Sequence, residues 1–140
     1  MTMNAAARRV AAGYAVLSAA VVGVTFILSP LFGDGSGFPV AWNTLNWFMA
    51  PSVFVAAGAS LAWKLRPAAG GGDAGEARRL LEANVRFYAA AILGLWFFWN
   101  WFGDLMSREE VLLWAFIDPL FVVVVGACGV RLWREPEGAA

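Results

Sequence analysis

Asp118 is the residue in this sequence with the clearest potential for chemistry, because it is a carboxylic acid set inside a long apolar segment. An acid at such a position in a membrane costs about 2.5 to 3.5 kcal/mol on insertion scales, and it usually faces a bundle interior or a wet cavity. One interpretation is a proton, cation or ligand site. The other, which the sequence favours, is an acid that locks helix packing by hydrogen bonding to Asn46, Asn43 or a tryptophan indole.

Polar side chains of a second group lie within a few helical turns of the depth of Asp118. Asn43, Asn46 and Asn100 stand near the ends of two neighbouring apolar segments, and Asp104 follows shortly after Asn100. Together with Asp118 they predict a polar pocket that opens toward one membrane face, and this group is the candidate ligand or proton site. Amide hydrogen bonds between helices are the simpler explanation of the asparagines.

Familiar catalytic and metal-binding patterns are missing from the sequence. It contains no histidine and one cysteine, Cys128, which excludes an internal disulfide and any Cys-x-x-Cys site. A metal site made of acids and asparagines would have only oxygen ligands and would be poorly specified. Cys128, Met49 and Met106 are too scattered to suggest a haem or copper centre. We therefore expect no enzymatic activity, no cofactor and no metal, and the net charge of +0 argues against a nucleic-acid partner.

The elements that must position these residues are membrane-spanning helices. Of the 140 residues, 61% are hydrophobic and only 14% are charged, which is typical of an integral membrane protein. Windows long enough to cross a bilayer occur at residues 10–31, 40–63, 80–102 and 111–133. They consume nearly the whole chain, so we expect a single all-α transmembrane domain over residues 1–140, with the first window retained rather than cleaved as a signal peptide.

The distribution of lysine and arginine predicts the orientation. Of the ten lysines and arginines, eight lie before the first window, between the second and third, or at the end of the fourth, whereas Arg86 lies inside the third window and Arg108 in the loop before the fourth. Because cytoplasmic segments carry the excess of basic residues, both termini and the middle loop are predicted to be cytoplasmic. Composition favours a multi-pass protein of the bacterial inner membrane.

An internal repeat connects the two halves of the chain. Arg8 and Arg9 match Arg78 and Arg79 at a shift of 70 residues, and the same shift aligns residues 32–34 with the identical tripeptide at 102–104. A shift of 68 residues aligns the second window with the fourth. We therefore predict one repeat at residues 8–66, a linker at 67–77 and a second repeat at 78–134.

Both repeats begin on the same membrane side, which predicts two helical hairpins packed as a pseudo-two-fold four-helix bundle. Small residues allow helix backbones to approach closely. We expect the close contact between the repeats at Gly58 and Ala59 in the first and at Gly126 and Ala127 in the second. Leucine at either glycine would then destabilise the bundle.

Prolines at equivalent places in the repeats predict a pair of helix kinks. Pro51 and Pro119 each lack the backbone N–H that would bond to the carbonyl four residues earlier, at Trp47 and Ala115. In lipid, these freed carbonyls need a donor from a neighbouring helix or from water.

Three functions are compatible with this sequence. The favoured one is an accessory or structural subunit of a larger membrane enzyme complex, surrounded by lipid and by other membrane subunits or further copies of itself. The alternative is a small oligomeric transporter or channel that uses Asp118 and the nearby asparagines, although the first window has no counterpart of the essential glutamate of four-helix multidrug exporters. A membrane enzyme acting on lipid or quinone would have no visible base other than Asp118. In layout the chain resembles small four-span bacterial membrane proteins.

Overall fold

The computed structural model describes residues 4–32, 38–66, 73–106 and 111–135. These residues form four long helices, and no strand occurs in the described ranges. Their bounds are α1 Ala5–Leu28, α2 Phe38–Leu65, α3 Asp73–Leu105 and α4 Val111–Arg134, with a short 3-10 helix at Ser29–Phe32 after α1. The predicted all-α fold is confirmed.

All four helices are long and apolar enough to cross a membrane, which confirms the four predicted spans. The largest difference from the sequence prediction is at the start of α3. Residues 73–77, predicted as part of the linker, belong to this helix, whose 33 residues span about 50 Å. Since a bilayer core is about 30 Å thick, α3 extends beyond it, and the acid Glu76 in its first turn favours a helix start there.

Two helix pairs make the most extensive contacts, α1 with α4 and α2 with α3. The antiparallel pair α1–α4 approaches most closely at Gly129, where an added Cβ would lie 3.0 Å from both the Ala12 carbonyl oxygen and the Val16 nitrogen. One turn away, a Cβ on Gly126 would lie 3.5 Å from the Cβ of Ala19. Backbones can come this close because α1 presents a buried row of small residues, Ala12, Ala15 and Ala19.

The predicted contact between Gly58 and Gly126 is therefore wrong in the described structure. Gly58 is exposed, and a Cβ there would meet no atom within 4 Å. Gly126 contacts Ala19 of α1 instead of α2, because α1 turns its row of buried alanines toward α4. Ala127 is also exposed, whereas Ala59 is half-buried against the core.

Pro51 and Pro119 lie inside α2 and α4, and both side chains are exposed. Near the first proline, the Tyr14 hydroxyl donates a hydrogen bond to the Phe48 carbonyl oxygen over 2.7 Å. That carbonyl is one residue from Trp47, whose usual donor Pro51 removes. A donor from α1 therefore reaches α2 next to the proline, but at the Phe48 carbonyl and not at the Trp47 carbonyl that the sequence singled out.

One end of the bundle brings basic residues of three helices together. Glu135 accepts hydrogen bonds from Trp63 Nε1 at 2.8 Å and from an Arg66 guanidinium nitrogen at 2.6 Å. The Arg131 guanidinium lies 4.5 Å from the Trp63 ring centre, and Arg79 donates to the Arg66 carbonyl at 3.3 Å. We call this end, where α2 and α4 finish and α3 begins, the basic end. The opposite end, where α3 finishes and α4 begins, is the hairpin end.

Candidate functional site

Three buried polar side chains lie at a similar height in the bundle, one each from α2, α3 and α4. Asn46 and Asn100 are 2% exposed, and Asp118 is 4% exposed. The rings of Trp47 and Trp101, which directly follow the two asparagines, meet edge-on with their centres 4.8 Å apart. This contact places the asparagines at matching heights. We call Asn46, Asn100 and Asp118 the polar layer.

A hydrogen bond one turn closer to the hairpin end relates Asp118 to Asn100. Trp114 Nε1 on α4 donates to Asp104 Oδ2 on α3 over 2.8 Å. Residues four apart lie on the same face of a helix. One turn inward from this bonded pair are Asn100 on α3 and Asp118 on α4, so these two side chains occupy the next level of the same interface.

Each member of the polar layer has a buried atom without a hydrogen-bond partner in the described ranges. These atoms are Asn46 Oδ1, Asn100 Nδ2 and Asp118 Oδ1. A buried polar atom left unpaired costs about 1–3 kcal/mol, so such a group attracts water or a small polar guest. Two acceptors and one donor, from three different helices, thus point into the bundle interior.

The polar layer is closed on the side toward the basic end. Met49, Phe97 and Phe121 each stand three residues deeper than a polar-layer residue of the same helix, and each is at most 1% exposed. We call these three side chains the apolar plug. Ser52, a fourth buried residue whose hydroxyl has no partner in the described structure, lies beyond the plug.

Toward the hairpin end the layer has a different boundary. One turn outward are Trp42, Asp104 and Trp114, and all three are only partly buried. The Asp104–Trp114 hydrogen bond spans this boundary between α3 and α4. The polar layer is therefore one residue layer away from the hairpin end, with a carboxylate on the way.

Of the candidate site residues, the structure buries Asn46, Asn100 and Asp118 at a similar level and places Asp104 one turn outward. Asn43 does not join them, because its side chain is exposed on α2. We expected an asparagine or an indole to donate to Asp118, but Trp114 donates to Asp104 instead. Sequence reasoning missed the apolar plug, although its signal was a bulky residue three positions inward on every helix.

A separate cavity of about 270 Å³ lies between α1 and α2. Its wall is apolar and includes Tyr14, Leu17, Val21, Phe48 and Met49. No acid lines it, and the cavity therefore offers space to an apolar guest and no chemistry of its own.

Acidic, cysteine and histidine side chains form no metal centre in the described ranges. No group of three or more acidic, cysteine or histidine side chains is close enough there to hold a metal ion. Cys128 is a buried free cysteine. Comparison with protein-family models, with curated proteins and with solved structures finds no match to this chain.

Proposed function

We propose that this chain is an accessory subunit of a larger membrane protein complex, in which one face of α3 packs against a transmembrane helix of a partner subunit. It has no catalytic residues of its own in this proposal. The observation that carries it is a continuous row of large exposed side chains along α3, which we call the α3 seam: Leu81, Val85, Tyr88, Ile92, Leu95, Trp99 and Phe102.

The α3 seam has the spacing of a helix–helix interface. Its members follow one another in alternating steps of four and three residues, the pattern with which one helix packs along another. Each side chain is between 44% and 74% exposed, and the row is about 32 Å long. α3 is also the least buried of the four spans. A partner helix of ordinary length would cover the whole row.

Aromatic content distinguishes the α3 seam from the exposed row on α1. On α1 the large exposed side chains are all aliphatic, for example Leu17, Val24 and Ile27, as a lipid-facing surface would be. The α3 seam carries Tyr88, Trp99 and Phe102. Aromatic residues are enriched in protein interfaces, where they provide large rigid contact areas. We assign the α1 row to lipid and the α3 row to protein.

The seam continues past the thickness of a bilayer core. Counting about 20 residues from Leu105 places the inner edge of the hydrocarbon near Val85. Leu80 and Leu81 lie beyond that point and are exposed, beside the charged residues Arg79 and Glu82. A partner helix along the seam would cover this turn as well, and exposed apolar side chains beside charged residues are typical of binding surfaces.

Transport through the bundle is the alternative that the sequence left open. It would need a polar path that runs from the polar layer to the basic end. The apolar plug of Met49, Phe97 and Phe121 occupies the position directly below that layer. This packing weighs against a conduction path within one chain and favours the accessory role.

Two finer features accompany the proposal. A two-fold rotation that places the first hairpin on the second carries α1 onto α3 and α2 onto α4. It therefore converts the α1–α4 pair into the α3–α2 pair, and these are the two most extensive helix pairs. Their equivalence supports a pseudo-two-fold relation between repeats 8–66 and 78–134. Clustering of basic residues at one end supports a cytoplasmic basic end and cytoplasmic termini. We propose a multi-pass location in a bacterial inner membrane on that ground.

Site-specific photo-crosslinking in native membranes tests the α3 seam. A photoreactive phenylalanine analogue is placed at Leu95 or Trp99 on the seam, and at Leu17 or Val24 on α1 as matched exposed controls. We expect the seam positions to crosslink to one membrane protein that also co-purifies in fixed ratio by native mass spectrometry. We expect the α1 positions to crosslink to no protein.

A second measurement links the contact to its energetics. Central aromatic residues of interfaces cost at least about 2 kcal/mol when truncated, so Trp99→Ala should reduce recovery of the partner roughly thirtyfold while Leu17→Ala leaves it unchanged. Crosslinks to a second copy of this chain would replace the accessory role by self-assembly. Absence of any protein crosslink at the seam would assign that face to lipid and refute the proposal.

A further inference from the structure

The polar layer has unpaired atoms, an opening toward one membrane face only, and no role in the contact proposed for α3. We propose that Asn46, Asn100 and Asp118 form a one-sided binding site for a single small monovalent cation, hydronium or Na⁺, which enters from the hairpin end past Asp104 and Trp114. The site holds the cation and does not pass it on.

The ligand class follows from the atoms that lack partners. Asn46 Oδ1 and Asp118 Oδ1 are buried acceptors with nothing to accept from in the described structure. A hard cation is bound by carboxylate and amide oxygens of this kind. The Asn100 amide nitrogen can donate a hydrogen bond to the second Asp118 oxygen or to a water molecule bound to the cation. The oxygen of the same amide can serve as a further ligand. The layer contains a single carboxyl group, which can balance one positive charge.

The charged surroundings favour a cation over an anion. On α3, Asp104 is the titratable residue nearest to the layer, and it adds a second carboxylate at the entrance. α2 has no titratable residue between Asn46 and Trp63. On α1 the nearest is Tyr14, whose hydroxyl is engaged with the Phe48 carbonyl. On α3 the arginine nearest to the layer is Arg86, fourteen residues from Asn100, and on α4 the nearest titratable group toward the basic end is Cys128, ten residues from Asp118. Field lines from the two acids therefore draw positive ions toward the layer.

Access is restricted to one side by what bounds the layer. The partly buried residues Trp42, Asp104 and Trp114 separate it from the hairpin end by a single turn. In the other direction the three buried side chains of the apolar plug offer no oxygen or nitrogen atom to a hydrated ion. A cation can thus bind and leave only through the hairpin end.

Cysteine accessibility tests the sidedness. Two single-cysteine variants, Asn100→Cys and Leu93→Cys, are compared in a Cys128→Ala background. Leu93 is the control, because it is as buried as Asn100 and lies on the same face of α3, two turns deeper and beyond Phe97. A small cationic thiol reagent is added to sealed vesicles from either face. We expect Asn100→Cys to be labelled from the hairpin-end face only, and Leu93→Cys to stay unlabelled from both faces. Labelling of both cysteines would show that the reagent passes through the bundle. Labelling of neither would show that water does not reach the polar layer. Either result overturns the proposal.

Thermal stability of the purified protein tests the ligand. A guest that binds only the folded state raises Tm. Replacing choline by Na⁺ at constant ionic strength should raise the Tm of the wild-type chain by a few degrees and leave Asp118→Asn unchanged if the guest is Na⁺. If the guest is hydronium, mild acid in choline should give the rise, again only in the wild-type chain. A Tm difference between the two proteins that responds to neither ion contradicts a cation site.

Neither test requires a partner subunit, so the cation site and the accessory role succeed or fail separately.

Discussion

Trp114 and Asp104 form the hydrogen bond that sets the register of α3 against α4 at the hairpin end. The indole Nε1 donates to a carboxylate oxygen over 2.8 Å, and both side chains are only partly buried. Because the faces of both helices repeat every four residues, the same register brings Asn100 and Asp118 to one level a turn deeper. A single side-chain bond thus positions two members of the polar layer.

Removing that bond should destabilise the protein. Trp114→Phe keeps an aromatic ring at the position, where the indole now lies 6.0 Å from the Phe97 ring, but it deletes the donor to Asp104. We expect the free energy of unfolding to fall by about 1–3 kcal/mol, the usual cost of losing a hydrogen bond to a charged group. Denaturant unfolding in detergent micelles measures this loss. Trp99→Phe, at an exposed indole on α3, is the matched control, and equal losses in both variants would argue against the bond.

The contact between α1 and α4 gives the sharpest prediction about packing. Gly129→Ala puts a Cβ 2.9 Å from Val16 Cγ2 and 3.0 Å from two backbone atoms of α1, so the helices must move apart. We expect a loss of about 1–3 kcal/mol from overpacking. Gly58→Ala meets open space and should be neutral or stabilise by up to about 1 kcal/mol, since alanine is the better helix former. Thermal unfolding of the two variants side by side decides, and a larger loss at Gly58 would mean that the observed pairing is wrong.

How far the sequence could predict this molecule depends on what hydropathy records. Span positions followed from it because a helix must be apolar over the whole bilayer thickness. The side of each helix that faces its neighbours did not follow, because a spanning helix is apolar all round. Asn43 and Asn46 illustrate the difference: both were predicted for the site, and only Asn46 is buried. The predictions for Gly58 and Gly126 differ from the structure for the same reason, since small size marks a possible contact without naming the helix that fills it.

The stability contributed by the hydrogen bond between α1 and α2 near Pro51 should also be measurable. Tyr14→Phe removes the hydroxyl that bonds to the Phe48 carbonyl over 2.7 Å and leaves the ring in place. We expect a loss of about 0.5–1.5 kcal/mol, typical of a neutral hydrogen bond. Tyr88→Phe is the control, because Tyr88 is exposed and its hydroxyl is 3.5 Å from Lys64 Nζ. Thermal unfolding should separate the two variants, and an unchanged Tm for Tyr14→Phe would show that the kink needs no donor from α1.

Glu135 should stabilise the basic end more than any other described acid there. Its carboxylate accepts from both Trp63 and Arg66, and its side chain is only 12% exposed. Glu135→Gln removes the charge and one acceptor oxygen, so we expect a loss of about 1–2 kcal/mol, in the lower part of the range for charged hydrogen bonds because Arg66 is partly solvated.

The control for Glu135 is Glu82→Gln on α3. Glu82 also pairs with two arginines, Arg78 at 3.2 Å and Arg86 at 3.5 Å, but its side chain is 45% exposed. Exposed pairs contribute little and are screened by salt, so this variant should change the free energy of unfolding by at most about 0.5 kcal/mol. Unfolding curves at low and high salt separate the two cases. The loss of unfolding free energy in Glu135→Gln should be the same at both salt concentrations. If high salt abolishes that loss, the Glu135 contact is an ordinary surface ion pair. An effect that persists in high salt would identify Glu135 as the residue that holds the end of α4 against α2. The indole of Trp63 makes this possible, because it excludes water from one side of the Glu135 carboxylate.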